Sequence, residues 1–88
     1  MNKEENMKAV AYVGISKIRS NILNSLENDL KYPSQISREL NIRIQHVSTA
    51  LKELKEKELV ECINEDVKVG RLYRTTSKGK QVIELMKQ

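Results

Sequence analysis

The apolar residues of this chain change period once, and the change divides it. Ile15, Ile18, Ile22, Leu23 and Leu26 recur at helical spacing, and Ser16 is a residue type that caps a helix N-terminus. They predict a helix of roughly three turns. Before it, Met7, Val10 and Ala11 share one stripe, so residues 3–13 read as a short helix with Gly14 as its stop, although "VAYV" also fits an extended segment. Pro33 closes "ENDLKYP" and marks a boundary. Ile36 and Leu40, four apart in "SQISREL", predict a second short helix, and "NI" a tight connection. Ile44, Val47, Leu51 and Leu54 then mark a helix from Arg43 to about Lys57.

After that the helical period stops. "LVECIN" and "RLYRTT" are rich in β-formers, and "EDVKVG" between them ends in Gly70, which can take the positive φ a hairpin loop often needs. They read as an antiparallel hairpin. Thr76 or Ser77 caps a last helix through "KGKQVIELMKQ", with Val82, Ile83 and Met86 facing inward and Gly79 costing some propensity in its first turns. Two short helices across a tight turn, then a hairpin and a closing helix, give a mainly α fold with a small antiparallel β-hairpin, a winged helix-turn-helix.

The stretch "PSQISRELNIRIQHVSTALKELKEKELVECINEDVKVGRLYRTTSKGKQV" resembles winged helix-turn-helix transcriptional regulators of the MarR/ArsR-like kind, in particular small archaeal ones. The resemblance runs from Ser16 to about Glu84 and is carried most by "IQHVSTALKELKEKELV" and "GRLYRTTSKGK". It implies sequence-specific DNA binding. Three residues depart from the usual pattern: Tyr32 stands where a capping Thr or Ser is common, Glu58 where a glycine commonly precedes "LV", and Thr75 at a usually apolar place.

Charge gives that implication a physical basis. Opposite the apolar stripe of residues 43–57 lie Gln45, His46, Thr49, Lys52, Glu53 and Glu56. Residues 43–52 hold Arg43 and Lys52 and no acid, net +2; the acids begin at Glu53. A helix that inserts its N-terminal half into the major groove must keep carboxylates away from phosphates in that half only. Gln45 can pair with adenine, His46, Ser48 and Thr49 can exchange hydrogen bonds with base edges, and Arg43 and Lys52 can hold phosphate or read guanine. The same residues also suit a merely solvated face. Residues 53–66 carry net −4 and residues 68–80 net +5, so Lys68 and Arg71 at the hairpin can follow the DNA backbone or enter the minor groove, or simply keep an edge soluble. Glu65 and Asp66 at the tip oppose this. Ser34 and Arg38 are further phosphate candidates.

Composition narrows the classes. With 88 residues, 39% hydrophobic and 32% charged, the chain suits one small folded domain. The formal charge of +4 is compatible with a polyanion such as double-stranded DNA. A single Cys62 permits no internal disulfide, and a single His46 leaves too few ligands for a zinc site, so no metal or cofactor is expected. Cys62 reads as a small apolar residue of the hairpin rather than a redox switch. No stretch has signal-peptide or membrane-spanning character, so a cytoplasmic chain without membrane contact is expected. No phosphate-binding loop or nucleophile with its base stands out, so no enzyme is expected.

One helix reads only a few base pairs, which predicts a homodimer on two half-sites. Residues 1–14 form the candidate dimerisation segment and 15–88 the DNA-binding domain. Met7, Val10, Tyr12 and Val13, with Leu85 and Met86, are the candidate interface, and they fit a monomer core equally well. The competing function is a winged helix used to bind protein in a larger complex. A protein-binding face should be more apolar and aromatic than this polar one.

Overall fold

Local capping sets the element boundaries. The computed structural model describes residues 3–87. In chain order it has α1 (Lys3–Gly14), α2 (Lys17–Ser25), α3 (Pro33–Leu40), α4 (Ile44–Glu56), β1 (Val60–Cys62), β2 (Tyr73–Thr75) and α5 (Ser77–Met86). The "VAYV" segment is helical. Ser16 caps α2, its hydroxyl accepting from the Arg19 amide at 3.2 Å. Ile15 falls in the link before α2 begins, outside the helical period. It is 82% exposed, so it leaves the core stripe on which its spacing places it.

Pro33 occupies the first turn of α3, where its missing N–H costs nothing. Asn41 ends α3 in the left-handed region, at φ 55°. The turn into α4 is then fastened twice: the Ile42 amide donates to the Ser37 carbonyl at 3.1 Å, and the Ser37 hydroxyl donates to the Ile42 carbonyl at 2.6 Å. At the far end of α4 Glu58 also takes a left-handed conformation, φ 60°, which explains why a glycine suits this position. The Leu59 amide there returns to the Leu54 carbonyl at 2.9 Å.

The strands pair antiparallel as Val60 with Thr75, Glu61 with Arg74 and Cys62 with Tyr73. Beyond them the Ile63 amide still donates to the Leu72 carbonyl at 2.9 Å, but Asn64 takes over the return bond, so the strands are shorter than their β-forming runs. The Asn64 Oδ1 accepts from the Leu72 amide at 2.9 Å and its Nδ2 donates to the Gly70 carbonyl at 3.0 Å. Cys62 is half-buried, its Sγ donating to the same Oδ1 at 3.4 Å. Lys31 adds an isolated antiparallel bridge on the other edge of β2: its amide and carbonyl exchange hydrogen bonds of 3.1 and 3.0 Å with Tyr73.

The core joins Val13 of α1, Ile22 and Leu23 of α2 with Leu26 just beyond, Ile36 of α3, Val47, Ala50, Leu51 and Leu54 of α4, Leu59 and Val60, and Val82 and Ile83 of α5. Ala50 takes the place in the α4 stripe that spacing assigns to Ile44, which is 44% exposed. Thr75 is buried yet satisfied, its hydroxyl donating to the Leu26 carbonyl at 2.9 Å. Thr76, not Ser77, caps α5, accepting from the Gly79 amide at 3.0 Å. Gly79 is buried against the hairpin, and a Cβ there would overlap the Leu59 carbonyl oxygen. Its role is close packing rather than a tolerated loss of propensity.

α1 packs against α2 and α5. Val13 is wholly buried in this chain's own core, which removes it from any partner surface. Val10, Tyr12 and Met86 are half-buried against the same core. Leu85 is half-buried, and Met7 is 61% exposed.

Candidate nucleic-acid interface

The helix-turn-helix and the wing, the segment between β1 and β2, enclose a groove of about 750 Å³. α3 gives it Ser34; α4 gives it Ile44, Ser48, Lys52 and Lys55; the wing gives it Lys68, Val69 and Arg71. Tyr32 and Tyr73 complete its walls. The groove is lined by four cations and no carboxylate.

The helix ends at this groove differ from the others. α2 and α5 carry side-chain caps, whereas α3 and α4 begin at Tyr32 and Arg43 with no side-chain cap. First-turn amides have no intrahelical acceptor. In α4 the His46 amide donates to the Arg43 carbonyl at 2.9 Å, which leaves the Ile44 and Gln45 amides, with those of Ser34 and Gln35 in α3, available to an anion.

α4 presents the candidate residues over three directions. Ser48 and Lys52 line the groove. His46 and Thr49 lie on the adjoining side toward α2, in a separate shallow depression with Ser16, Ile18 and Glu53. Gln45 is exposed at the N-terminal end, and Arg43 and Arg38 are exposed beyond both depressions. The Thr49 hydroxyl donates to the Gln45 carbonyl at 3.0 Å, which leaves its methyl and acceptor lone pairs outward.

The acids also divide. Glu56 is exposed near the end of α4, but Glu53 turns toward α2. Arg19 Nε and Nη2 donate to its two carboxylate oxygens at 3.2 Å each. Nη1 donates to the Tyr12 carbonyl at 3.0 Å, and the guanidinium lies 4.0 Å from the Tyr12 ring centroid. Hydrogen bonding to Glu53 raises the Arg19 pKa beyond its already high ordinary value.

The basic run of residues 68–80 serves two surfaces. Lys68 and Arg71 face the groove, while Arg74, Lys78 and Lys80 line a separate depression with Glu61 and Thr76. Arg74 Nε donates to Glu61 at 2.6 Å across the strands. Arg71 is a wing clasp: its Nε donates to the Val67 carbonyl at 2.7 Å and its Nη2 to the Glu65 carbonyl at 3.3 Å. Lys55 pairs with Glu65, joining α4 to the wing. The contact raises the Lys55 pKa and lowers that of Glu65, chiefly through their hydrogen bond. Among the described residues no ion pair engages Lys52 or Lys68.

Sequence reasoning passed over Tyr32, Ile44, Lys55 and Val69, all on the groove. Tyr32 was legible only as an odd N-cap. Ile44 carries the signature of a core residue, and Lys55 lies among acids in the sequence. Among the described residues no helix is long and apolar enough to cross a membrane.

Comparison with known proteins agrees with this geometry. The profile of the family described as "Winged helix-turn-helix" matches residues 16–88. The fold is similar to that of a ZitR mutant from Lactococcus lactis, at 25% identity and TM-score 0.71, covering 80% of this chain and 49% of that one. It is also similar to a MarR family transcription regulator, SP03579, at 21% identity and TM-score 0.76, covering 91% of this chain and 54% of that one. The chain thus spans about half the length of these solved chains. No curated protein matches the sequence significantly. By the match over most of its length, and by a helix-turn-helix and wing built around one cationic groove, the chain belongs to the winged helix-turn-helix family.

Proposed function

We propose that this chain is a sequence-specific DNA-binding transcriptional regulator. α4 enters the major groove by its N-terminal half, and the wing lies on the adjoining backbone or minor groove. The observation that carries this reading is the groove with four cations, no carboxylate and two uncapped helix ends beside it. Lys52 and Lys68 are the phosphate contacts, with the first-turn amides of α3 and the Ser34 hydroxyl. Gln45, Ser48 and Thr49 face base edges, and His46 and Arg43 flank them. Arg71 acts by shaping the wing.

The exposed apolar side chains of Tyr32, Ile44 and Val69 favour the other reading, a protein-binding winged helix. The cations around them weigh for DNA, since a protein interface depletes lysine. The described chain measures 36 × 26 × 20 Å, about one turn of duplex in its longest direction, so a second half-site requires a second copy. The exposed side of α1 at Met7, with Leu85 and Met86 of α5, is the proposed contact between copies. Met7→Asp should then yield monomers in light scattering without loss of fold, because Met7 is outside the core.

Selection from a random-sequence duplex library tests the main proposal. Wild type should enrich one motif, and Gln45→Ala/Thr49→Ala should relax it at a few positions. Absence of any enriched motif contradicts sequence-specific binding.

A further inference from the structure

Ile44 is an apolar side chain in a cationic groove. It stands at the first position of α4, 44% exposed, outside the buried stripe of Val47, Ala50, Leu51 and Leu54. It shares one edge of the helix with Ser48, four residues on, and with Lys55 beyond. Lys52 and Lys68 lie in the same groove, which therefore favours a negatively charged occupant. The apolar contact then comes from an apolar group on a polyanion. On the major-groove edges of the four bases, the thymine C5-methyl is the one apolar group, and it sits beside the O4 acceptor. Ile44 and Ser48 offer the complement: a branched hydrocarbon and, one turn along, a hydroxyl that can donate.

We propose that Ile44 is a specificity-determining residue that reads the C5-methyl of a thymine in each half-site. This rests on the DNA-binding reading above and names the base that part of the helix prefers. Val69, 89% exposed at the wing tip, is set apart from this role because it lies on the wing rather than on the helix placed in the major groove.

The test uses the site enriched by the wild-type chain from the random duplex library. Each thymine of that site is replaced singly by deoxyuridine, which removes only the methyl. Binding is measured for wild type, Ile44→Ala and Ile44→Val. The expected result is one thymine per half-site whose uracil substitution weakens wild-type binding about fourfold, the worth of one buried methyl. Ile44→Ala should lose affinity for the thymine duplex and be indifferent to uracil there, with Ile44→Val between. If no thymine responds to uracil in the wild type, the inference falls while DNA binding stands. It falls equally if the Ile44→Ala loss is the same on every thymine and uracil duplex, which would place the side chain on sugar or on the wing. If no site is enriched at all, the regulator reading itself has failed. The uracil scan in wild type is independent of how any variant folds.

Discussion

Arg19 of α2 grips Glu53 of α4 through two hydrogen bonds of 3.2 Å, and the same guanidinium caps the Tyr12 carbonyl at the end of α1. One side chain thus fixes α4 against both α1 and α2. The pair also explains why an acid is tolerated midway along α4: its charge is answered from within the fold. Arg19→Ala should lower stability by about 1–2 kcal/mol, discounted for partial exposure. Arg19→Lys should recover little, because an ammonium cannot hold both carboxylate oxygens and the Tyr12 carbonyl in one plane. Chemical denaturation of the three proteins checks this; full recovery by lysine would contradict the bidentate role.

Gly79 brings α5 against the hairpin. A methyl there meets the Leu59 carbonyl and approaches the Thr75 Cγ2 to 2.7 Å. Despite the gain in helix propensity, Gly79→Ala should therefore destabilise by about 2–4 kcal/mol. A thermal melt showing higher stability would mean that the helix can shift away at little cost.

Glu58 offers the opposite case. It is a non-glycine residue at φ 60°. Glu58→Gly should raise stability by about 0.5–1 kcal/mol, the left-handed penalty offset by glycine's extra freedom in the unfolded chain. Asn41→Gly, at a similar φ, should gain less, because asparagine tolerates that region. Denaturant midpoints would compare the two.

The wing should loosen in acid. Lys55 holds the Glu65 carboxyl below the ordinary glutamate range, and Lys31, with Gln35, does the same for Glu39. A carboxyl with a depressed native pKa binds fewer protons folded than unfolded, so its contribution is complete above the unfolded pKa. It is lost as pH falls through the folded pKa. The raised Lys55 acts at the other extreme: its contribution is complete below the unfolded lysine pKa and lost as pH rises through the folded one. Between about pH 5 and about pH 3 the Tm of wild type should fall more steeply than that of Glu39→Gln/Glu65→Gln. Parallel profiles would contradict the ion pairs.

The sequence shows much of this fold because its signals are local. The stripe Val47, Leu51, Leu54, the boundary at Pro33 and the cap before α5 all rest on neighbours within a turn. Ile15 and Ile44 mislead because period reports which residues share a face, and not whether anything covers the end of that face. Ala50 is too small to stand out as a core residue. The Lys31–Tyr73 bridge and the Arg19–Glu53 pair join residues far apart in the chain, and no spacing rule reaches them. The site was legible as a cluster of residue types. The assignment of Arg71 to the wing backbone, and the separation of Lys68 from Arg74 and Lys80, required the path of the loop.

The groove between α3, α4 and the wing is proposed to receive duplex DNA, with Lys52 and Lys68 on its phosphates. Fluorescence anisotropy with a random duplex, titrated with salt, tests this central claim directly. The logarithm of affinity should fall linearly with the logarithm of salt concentration, and Lys52→Ala/Lys68→Ala should flatten the slope by ~0.9 for each phosphate no longer neutralised. Lys68 is the better wing probe than Arg71, whose removal would also release the loop. Absence of binding at low salt, or an unchanged slope in a variant with wild-type melting, would contradict the claim.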